Sequence, residues 1–273
     1  MKLGRISWIN CYPVTGAIDR GIVPIGADLV TGTASELNDL LAAGELDASV
    51  VSAVEYARNA AAYHLMPDLA ISANGPVHSV ALFSRRPVEE LDGLTVLRTA
   101  SSRTSVLLLE LLCRHRWRIA PRFATARAES ADLESLARLP HEAVLVIGDA
   151  ALQLTARGAY PWVLDLGAEW KAWTGLPFVF AVWAARREVP VGAVRDLHRQ
   201  LLASRSWGLE HLDLLAADAA AATGVSVATC RAYLGTLDYA LGGAELEGLT
   251  TFFHRLAQDK LAPAGSLSFI TAA

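Results

Sequence analysis

ASELNDLLAAGELDASVVSAVEYARNAAA (residues 34–62) reads as helix, strand and helix in close succession. From Ala34 to Gly44, Leu37, Leu40 and Leu41 recur at helical spacing, with Ser35 as the expected N-cap and Gly44 as the stop. Asp47 to Ser52 then reads as a buried strand, and Ala53 to Ala62 as a second helix. Strands alternating with helices imply a parallel sheet. In such sheets ligands bind beyond the carboxyl ends of the strands, so the turns that follow each strand are the places to look for function.

The same pattern extends in both directions. Residues 3–9 (LGRISWI) form an apolar run that ends at Asn10 and turns at Tyr12-Pro13. Downstream, strands are predicted over Val77–Arg85, Thr95–Thr99, Ala143–Ile147 and Trp162–Leu166, and helices over Ser102–Arg114 and Ala150–Arg157. From Val194 the pattern is helical almost to the end, with segments 194–203, 206–222, 226–237 and 244–259. At 273 residues the chain reaches the size at which one core tends to divide, so one large domain or two smaller ones both fit. No low-complexity linker marks a boundary, and two lobes would have to share the chain through crossing strands. Val80–Ser84 and Phe178–Ala184 suit that role. The expected lobes are then 1–84 with 185–273, and 85–184, with a ligand cleft between them.

Composition narrows the function. The hydrophobic fraction is 53% and the mean hydropathy +0.32, which calls for a membrane test. The most apolar stretch, Thr174–Ala185, is twelve residues long, whereas a spanning helix needs roughly twenty. The N-terminus has a basic start but no continuous apolar region or small-residue cleavage site, and a cytoplasmic location is expected. A net charge of −4 and a pI near 6.0 give no footprint for nucleic acid. The basic run Arg114–Arg118 is expected to be a solvated helix face. Cys11, Cys113 and Cys230 lie too far apart for a CxxC pair and read as small buried hydrophobes. The seven histidines form no HExxH, and there is no GxSxG elbow, Walker A loop or GxGxxG, so no metal site or cofactor is expected.

What remains is a set of small polar residues at strand-to-helix turns. Asn10 follows the first strand, Ser52 and Glu55 follow the next, and Ser79 lies in a crossing strand. Ser101, Ser102, Arg103, Thr104 and Ser105 open a helix; Gly148, Asp149 and Thr174 complete the candidates. A hydroxyl-rich helix start offers amide and hydroxyl donors at the positive end of a dipole, a place for a carboxylate, with Arg103 as a charge partner. Each residue also has an ordinary reading: Asn10 as a turn residue, Ser79 as a strand hydroxyl, Asp149 as a helix cap and Arg103 as a surface arginine. His78 is expected on the opposite strand face from Ser79, and the tryptophans at 162, 170, 173 and 183 in the core.

Taken in order, six blocks carry a resemblance: RISWINCYP (5–13), ASELNDLLAAGELDASVVSAVEYAR (34–58), MPDLAISANGPVHSVALFSRRP (66–87), LRTASSRTSV (97–106), VIGDAAL (146–152) and DLGAEWKAWTGLPFVFAVW (165–183). Over most of residues 5–187 the chain resembles the MqnA-type chorismate dehydratases of menaquinone biosynthesis. It departs from them at Asn74, where an acidic residue is common, and at Trp8 and Cys11. The resemblance implies an α/β, two-lobed, periplasmic-binding-protein-like (type II) fold with parallel-rich sheets flanked by helices and a ligand cleft between lobes. It further implies a cofactor-free hydro-lyase that takes chorismate to 3-[(1-carboxyvinyl)oxy]benzoate, the first step of the futalosine route. Asn10 and Ser79 match positions associated with that family's active site, and the 101–105 segment matches the region expected to hold a substrate carboxylate.

Two other readings differ in chemistry. The related MqnD-type 1,4-dihydroxy-6-naphthoate synthases share the fold but typically carry a histidine-acid pair where Gly148-Asp149 stands, and Pro-Leu where Phe178-Val179-Phe180 stands. Both differences favour the dehydratase. A cytoplasmic sensor that binds a small carboxylate without turnover is the reading from a different class, since fold does not dictate function.

Overall fold

The computed structural model describes residues 1–270. The chain begins β1 (Lys2–Ile6), α1 (Tyr12–Asp19), β2 (Asp28–Gly32), α2 (Ala34–Ala42), β3 (Ala48–Ser52), α3 (Ala53–Asn59) and β4 (Tyr63–Ala73). It then runs β5 (Val80–Ser84), β6 (Thr95–Thr99), α4 (Thr104–Leu111), β7 (Arg122–Ala126), α5 (Leu133–Leu136), β8 (Ala143–Ile147), α6 (Gly148–Arg157), β9 (Trp162–Asp165) and α7 (Leu166–Thr174). β10 (Phe178–Arg186) follows, and the chain closes with α8 (Val191–Glu210), α9 (Leu212–Thr223), α10 (Val227–Thr236) and α11 (Gly243–Gln258). Among the described residues no single helix is long and apolar enough to cross a membrane.

Two five-stranded sheets have matching architecture. Their orders are β2-β1-β3-β10-β4 and β7-β6-β8-β5-β9. In each, three strands run parallel and a fourth, β10 or β5, enters antiparallel beside them, followed by an edge strand. The parallel portions come from strand-helix-strand units, as the 34–62 stretch implies. Side chains alternate across β8: Ala143, Leu145 and Ile147 join the main core, while Val144 and Val146 join a smaller cluster under α5 and α6. Both faces of the strand are covered, which explains why its sequence is continuously apolar.

The lobe boundaries need correcting at the level of strands. β5 pairs with β8 and β9 in the second sheet, and β10 pairs with β3 and β4 in the first, so breaks after Ser84 and Ala184 do not separate the sheets. The chain crosses instead through segments 74–79 and 175–177. The physical reason is that a central strand buried on both sides has the same apolar signature as a strand bridging two lobes. The crossings are packed tightly: a Cβ on Gly167 would lie 2.6 Å from the Gly75 carbonyl oxygen. Trp170 donates from Nε1 to the Pro177 carbonyl at 3.1 Å and meets Phe178 and Phe252 edge-on.

Several local readings also change. Thr33, not Ser35, caps α2, because its side chain accepts from the Glu36 amide while Glu36 reaches back to the Thr33 amide. His78 is not in a strand but in a tight turn before β5, with φ +62. The Arg114–Arg118 run is tied down in part: Arg114 and His115 pair with Asp259, and Arg116 pairs with Glu169, which also accepts from Trp117 Nε1. Trp170 and Trp183 are core residues, but Trp162 is exposed.

Candidate active site

The cavity between the sheets is built from the carboxyl ends of their strands. The free space inside it is about 60 Å³. Its polar wall is Asn10, Ser52, Ser79, Ser102, Thr104 and Ser105; Trp8, Ile71 and Phe180 are prominent on the apolar side. None of the lining side chains is histidine, lysine, arginine or carboxylate. The chemistry available at the wall is therefore neutral hydrogen bonding in a largely apolar space, where such bonds are stronger than in water.

Each polar group is positioned by the start of a helix or by a turn. Ser52 ends β3 and caps α3, accepting the Glu55 amide at 3.2 Å. Buried Asn38 of α2 donates to the same hydroxyl oxygen at 3.1 Å and accepts the Ser52 amide at 3.2 Å. A hydroxyl whose oxygen already accepts two bonds presents its proton to a ligand. Opposite, Ser102 accepts the Ser105 amide at 3.1 Å, and Thr104 accepts the Val54 amide at 3.0 Å. That last bond joins the first turns of α3 and α4 across the cleft, so the N-terminal ends of both helices meet at the same wall.

Asn10 stands in the 3₁₀ turn Ile9–Cys11 that follows β1. Its Oδ1 is buried with no hydrogen-bond partner among the described residues, which leaves an acceptor at the cavity wall. Ser79 comes from the first crossing. Its amide donates to Val77 O at 2.8 Å, and its carbonyl accepts the Gly148 amide at 2.7 Å. The Asp165 carboxylate holds the turn by accepting the Val77 amide at 3.0 Å and the His78 amide at 2.6 Å, while also capping α7 through the Ala168 amide. Those bonds offset the cost of a left-handed backbone at His78. Gly148 has φ +64, and a Cβ there would lie 3.0 Å from the Trp8 ring. Only glycine satisfies both the backbone and the indole lying against it.

Asp149 does not line the cavity but links its two sides: Oδ1 accepts the Ile9 amide at 3.2 Å. Burial raises its carboxyl to about 6, opposed by the Ile9 hydrogen bond and reinforced by Glu129. Burial also pushes the Cys11 and Cys113 thiols up to about 12, so neither is a thiolate at neutral pH.

Of the residues expected from sequence, Asn10, Ser52, Ser79, Ser102, Thr104, Ser105 and Gly148 meet at this cavity. Glu55, Ser101, Arg103, Asp149 and Thr174 are not among its lining residues. Arg103 pairs with Asp39 and with fully buried Glu55, so its charge is already engaged. Glu55 also accepts from Asn59 Nδ2 at 2.7 Å and Tyr63 OH at 3.2 Å. The Ser101 amide donates to Thr99 Oγ1 at 3.2 Å, and Thr174 Oγ1 donates back into its own helix to the Trp170 carbonyl at 2.9 Å. Sequence reasoning passed over Trp8, Ile71 and Phe180 as lining groups, because apolar side chains at a cavity look like core until the chain is folded.

A family model described as menaquinone biosynthesis matches residues 1–258, well beyond the 5–187 of the recognised blocks. A chorismate dehydratase from Thermus thermophilus is 34% identical over 237 residues, covering 81% of this chain and 84% of that protein. Among solved structures, a protein from Archaeoglobus fulgidus matches with TM-score 0.80 at 16% identity, covering 95% of this chain and 97% of that one. A Candida albicans protein described as having the generic periplasmic binding protein fold matches with TM-score 0.63 at 11% identity, covering 100% and 98%. These two likenesses show the fold: a two-lobed, periplasmic-binding-protein-like α/β architecture.

Proposed function

We infer from the family to which this chain belongs, that of menaquinone biosynthesis, that it is a chorismate dehydratase, eliminating water from chorismate to give 3-[(1-carboxyvinyl)oxy]benzoate. The observation that carries the reading into chemistry is the meeting of Asn10, Ser79 and the 102–105 helix start at one uncharged cavity. Chorismate is a dicarboxylate with a ring hydroxyl. The first turn of α4, with Ser102, Thr104 and Ser105, suits one carboxylate through amide and hydroxyl donors rather than through a guanidinium.

The reaction removes the ring proton at the ether-bearing carbon and the hydroxyl from its neighbour. The product ring is aromatic, so the thermodynamic drive is internal and no redox step is involved. A base is still needed, and none of the lining side chains is an evident one. We assign the proton to the substrate's own enolpyruvyl carboxylate, held in place by the cleft. Ser79 and Asn10 then orient that arm and stabilise the departing hydroxyl; with the ring proton it leaves as water.

Ser79→Ala and Asn10→Asp test the assignment. Each is expected to lower kcat by about 10²-fold or more, the scale of a lost preorganised donor, while retaining the folded state. Normal turnover in both folded variants would contradict it.

A further inference from the structure

Every residue of β10 is buried except Arg186, its last, and Phe180. The exception at Phe180 has its cause in the backbone. Val179 pairs with Ser72 and Ala181 with Ile71, so Phe180 is the extra residue of a β-bulge and has no partner on β4. On its other side β10 first meets β3 at Ala181 and Ser52, which leaves Phe180 one position beyond that serine. Successive side chains of a regular strand point to opposite faces, whereas Phe180 and Ala181 both line the candidate active site, together with Ile71. The bulge thus turns a large ring out of the core and into the cleft. That ring is backed by a run of edge-on contacts: its centroid lies 4.6 Å from that of Phe178, Phe178 lies 4.8 Å from Phe252, and both of these pack on Trp170.

We propose that Phe180 is the residue that reads the six-membered ring of the substrate, packing flat against it while the hydroxyl wall of the cavity takes the polar groups. This role rests on the dehydratase reading and adds to it a specificity-determining residue. With about 60 Å³ of free space between the walls, a ring seated there has no room to stand clear of Phe180. As water leaves, the puckered cyclohexadiene becomes a flat benzoate, so a fixed aromatic surface is better matched to the ring late in the reaction than at its start.

Ring preference in Phe180→Leu tests the role, because leucine keeps an apolar side chain in the bulge and removes the flat face. Affinity is measured by calorimetry for two probes that differ only in the ring, 3-(carboxymethoxy)benzoate and cis-3-(carboxymethoxy)cyclohexane-1-carboxylate. The wild type is expected to favour the benzoate by roughly 3–10-fold, the scale of one aromatic contact, and Phe180→Leu to bind the two within about twofold of each other. Damage to the fold weakens both probes alike, so their ratio reports the contact and not the packing of the strand. Phe180→Met, which also lacks the flat face, gives a second copy of the comparison. In turnover, Phe180→Leu is expected to lower kcat/KM for chorismate by about 10-fold. An unchanged ratio or an unchanged kcat/KM in the variants overturns the role even if chorismate is dehydrated, as does a wild type that binds neither probe or both equally. A ring preference that disappears with Phe180, in a wild type that does not dehydrate chorismate, retains the role and refutes the dehydratase reading instead.

Discussion

Asp149 holds Ile9, and with it the Asn10 turn, across the cleft by a carboxylate buried more deeply than its single amide bond can compensate. Its folded pKa of about 6 lies above its ordinary value of 3.8. Between those two values the unfolded chain has released the proton and the folded chain has kept it, so this group makes stability fall as pH rises through that window. The penalty is then constant above about pH 6.5 and absent below about pH 3.5. Asp149→Asn keeps an acceptor for the Ile9 amide and removes the titration. Relative to wild type, its stability is expected to rise by on the order of 2 kcal/mol between about pH 4 and pH 6.5, measured by denaturant unfolding. A difference that stays flat with pH would contradict the burial argument. Residue chemistry was otherwise readable at the site where a polar group ended a strand: Asn10 and Ser52 stood out because an apolar run stopped at them, whereas Ser79 was read as a hydroxyl within a crossing strand. Trp8, Ile71 and Phe180 gave no such signal, since apolar side chains read as core until folding brings them to the cavity.

Elements were legible in proportion to how much of them is buried. β6 and β8 were predicted with the observed bounds, and α10 and α11 within one residue of theirs, but the break between α8 and α9 was expected at 204–205, whereas α8 runs on to Glu210. β2 and β7, largely exposed edge strands, carry no apolar run and were missed. β4 was missed for a different reason: Pro67 and the left-handed Asp68 interrupt its pattern, and its ladder with β10 has register shifts between Val179 and Ala181 and between Val182 and Ala184. α7 was masked by its small and aromatic residues beside the Thr-Gly-Leu-Pro turn. The α3–α4 junction gives a prediction of its own. Arg103 at the start of α4 neutralises Glu55, which is 1% exposed, whereas Asp39 is 69% exposed and contributes little. Arg103→Ala is expected to destabilise the fold by about 3 kcal/mol in chemical denaturation by leaving a buried carboxylate unpaired, and Glu55→Gln in the same chain to recover part of that loss. An Arg103→Ala protein as stable as wild type would show that the pair does not hold the junction.

For the whole molecule, the two-sheet architecture was foreseeable from strand-helix alternation and the lack of a linker, but the points of crossing were not, because they depend on which sheet accepts each central strand. The sheets are clasped over the cavity by Ile9 with Asp149, Val54 with Thr104, Arg103 with Glu55, and Gln153 Nε2 with the Thr223 carbonyl at 2.7 Å. A cleft without a charged lining group suits the proposed chemistry, in which the substrate supplies its own base and its own aromatic driving force. The direct test is to incubate the purified, metal-stripped protein with chorismate, follow the loss of diene absorbance and weigh the product. The account predicts turnover to a benzoate lighter than chorismate by one water; saturable binding of chorismate with no turnover would contradict it and leave a ligand sensor in its place.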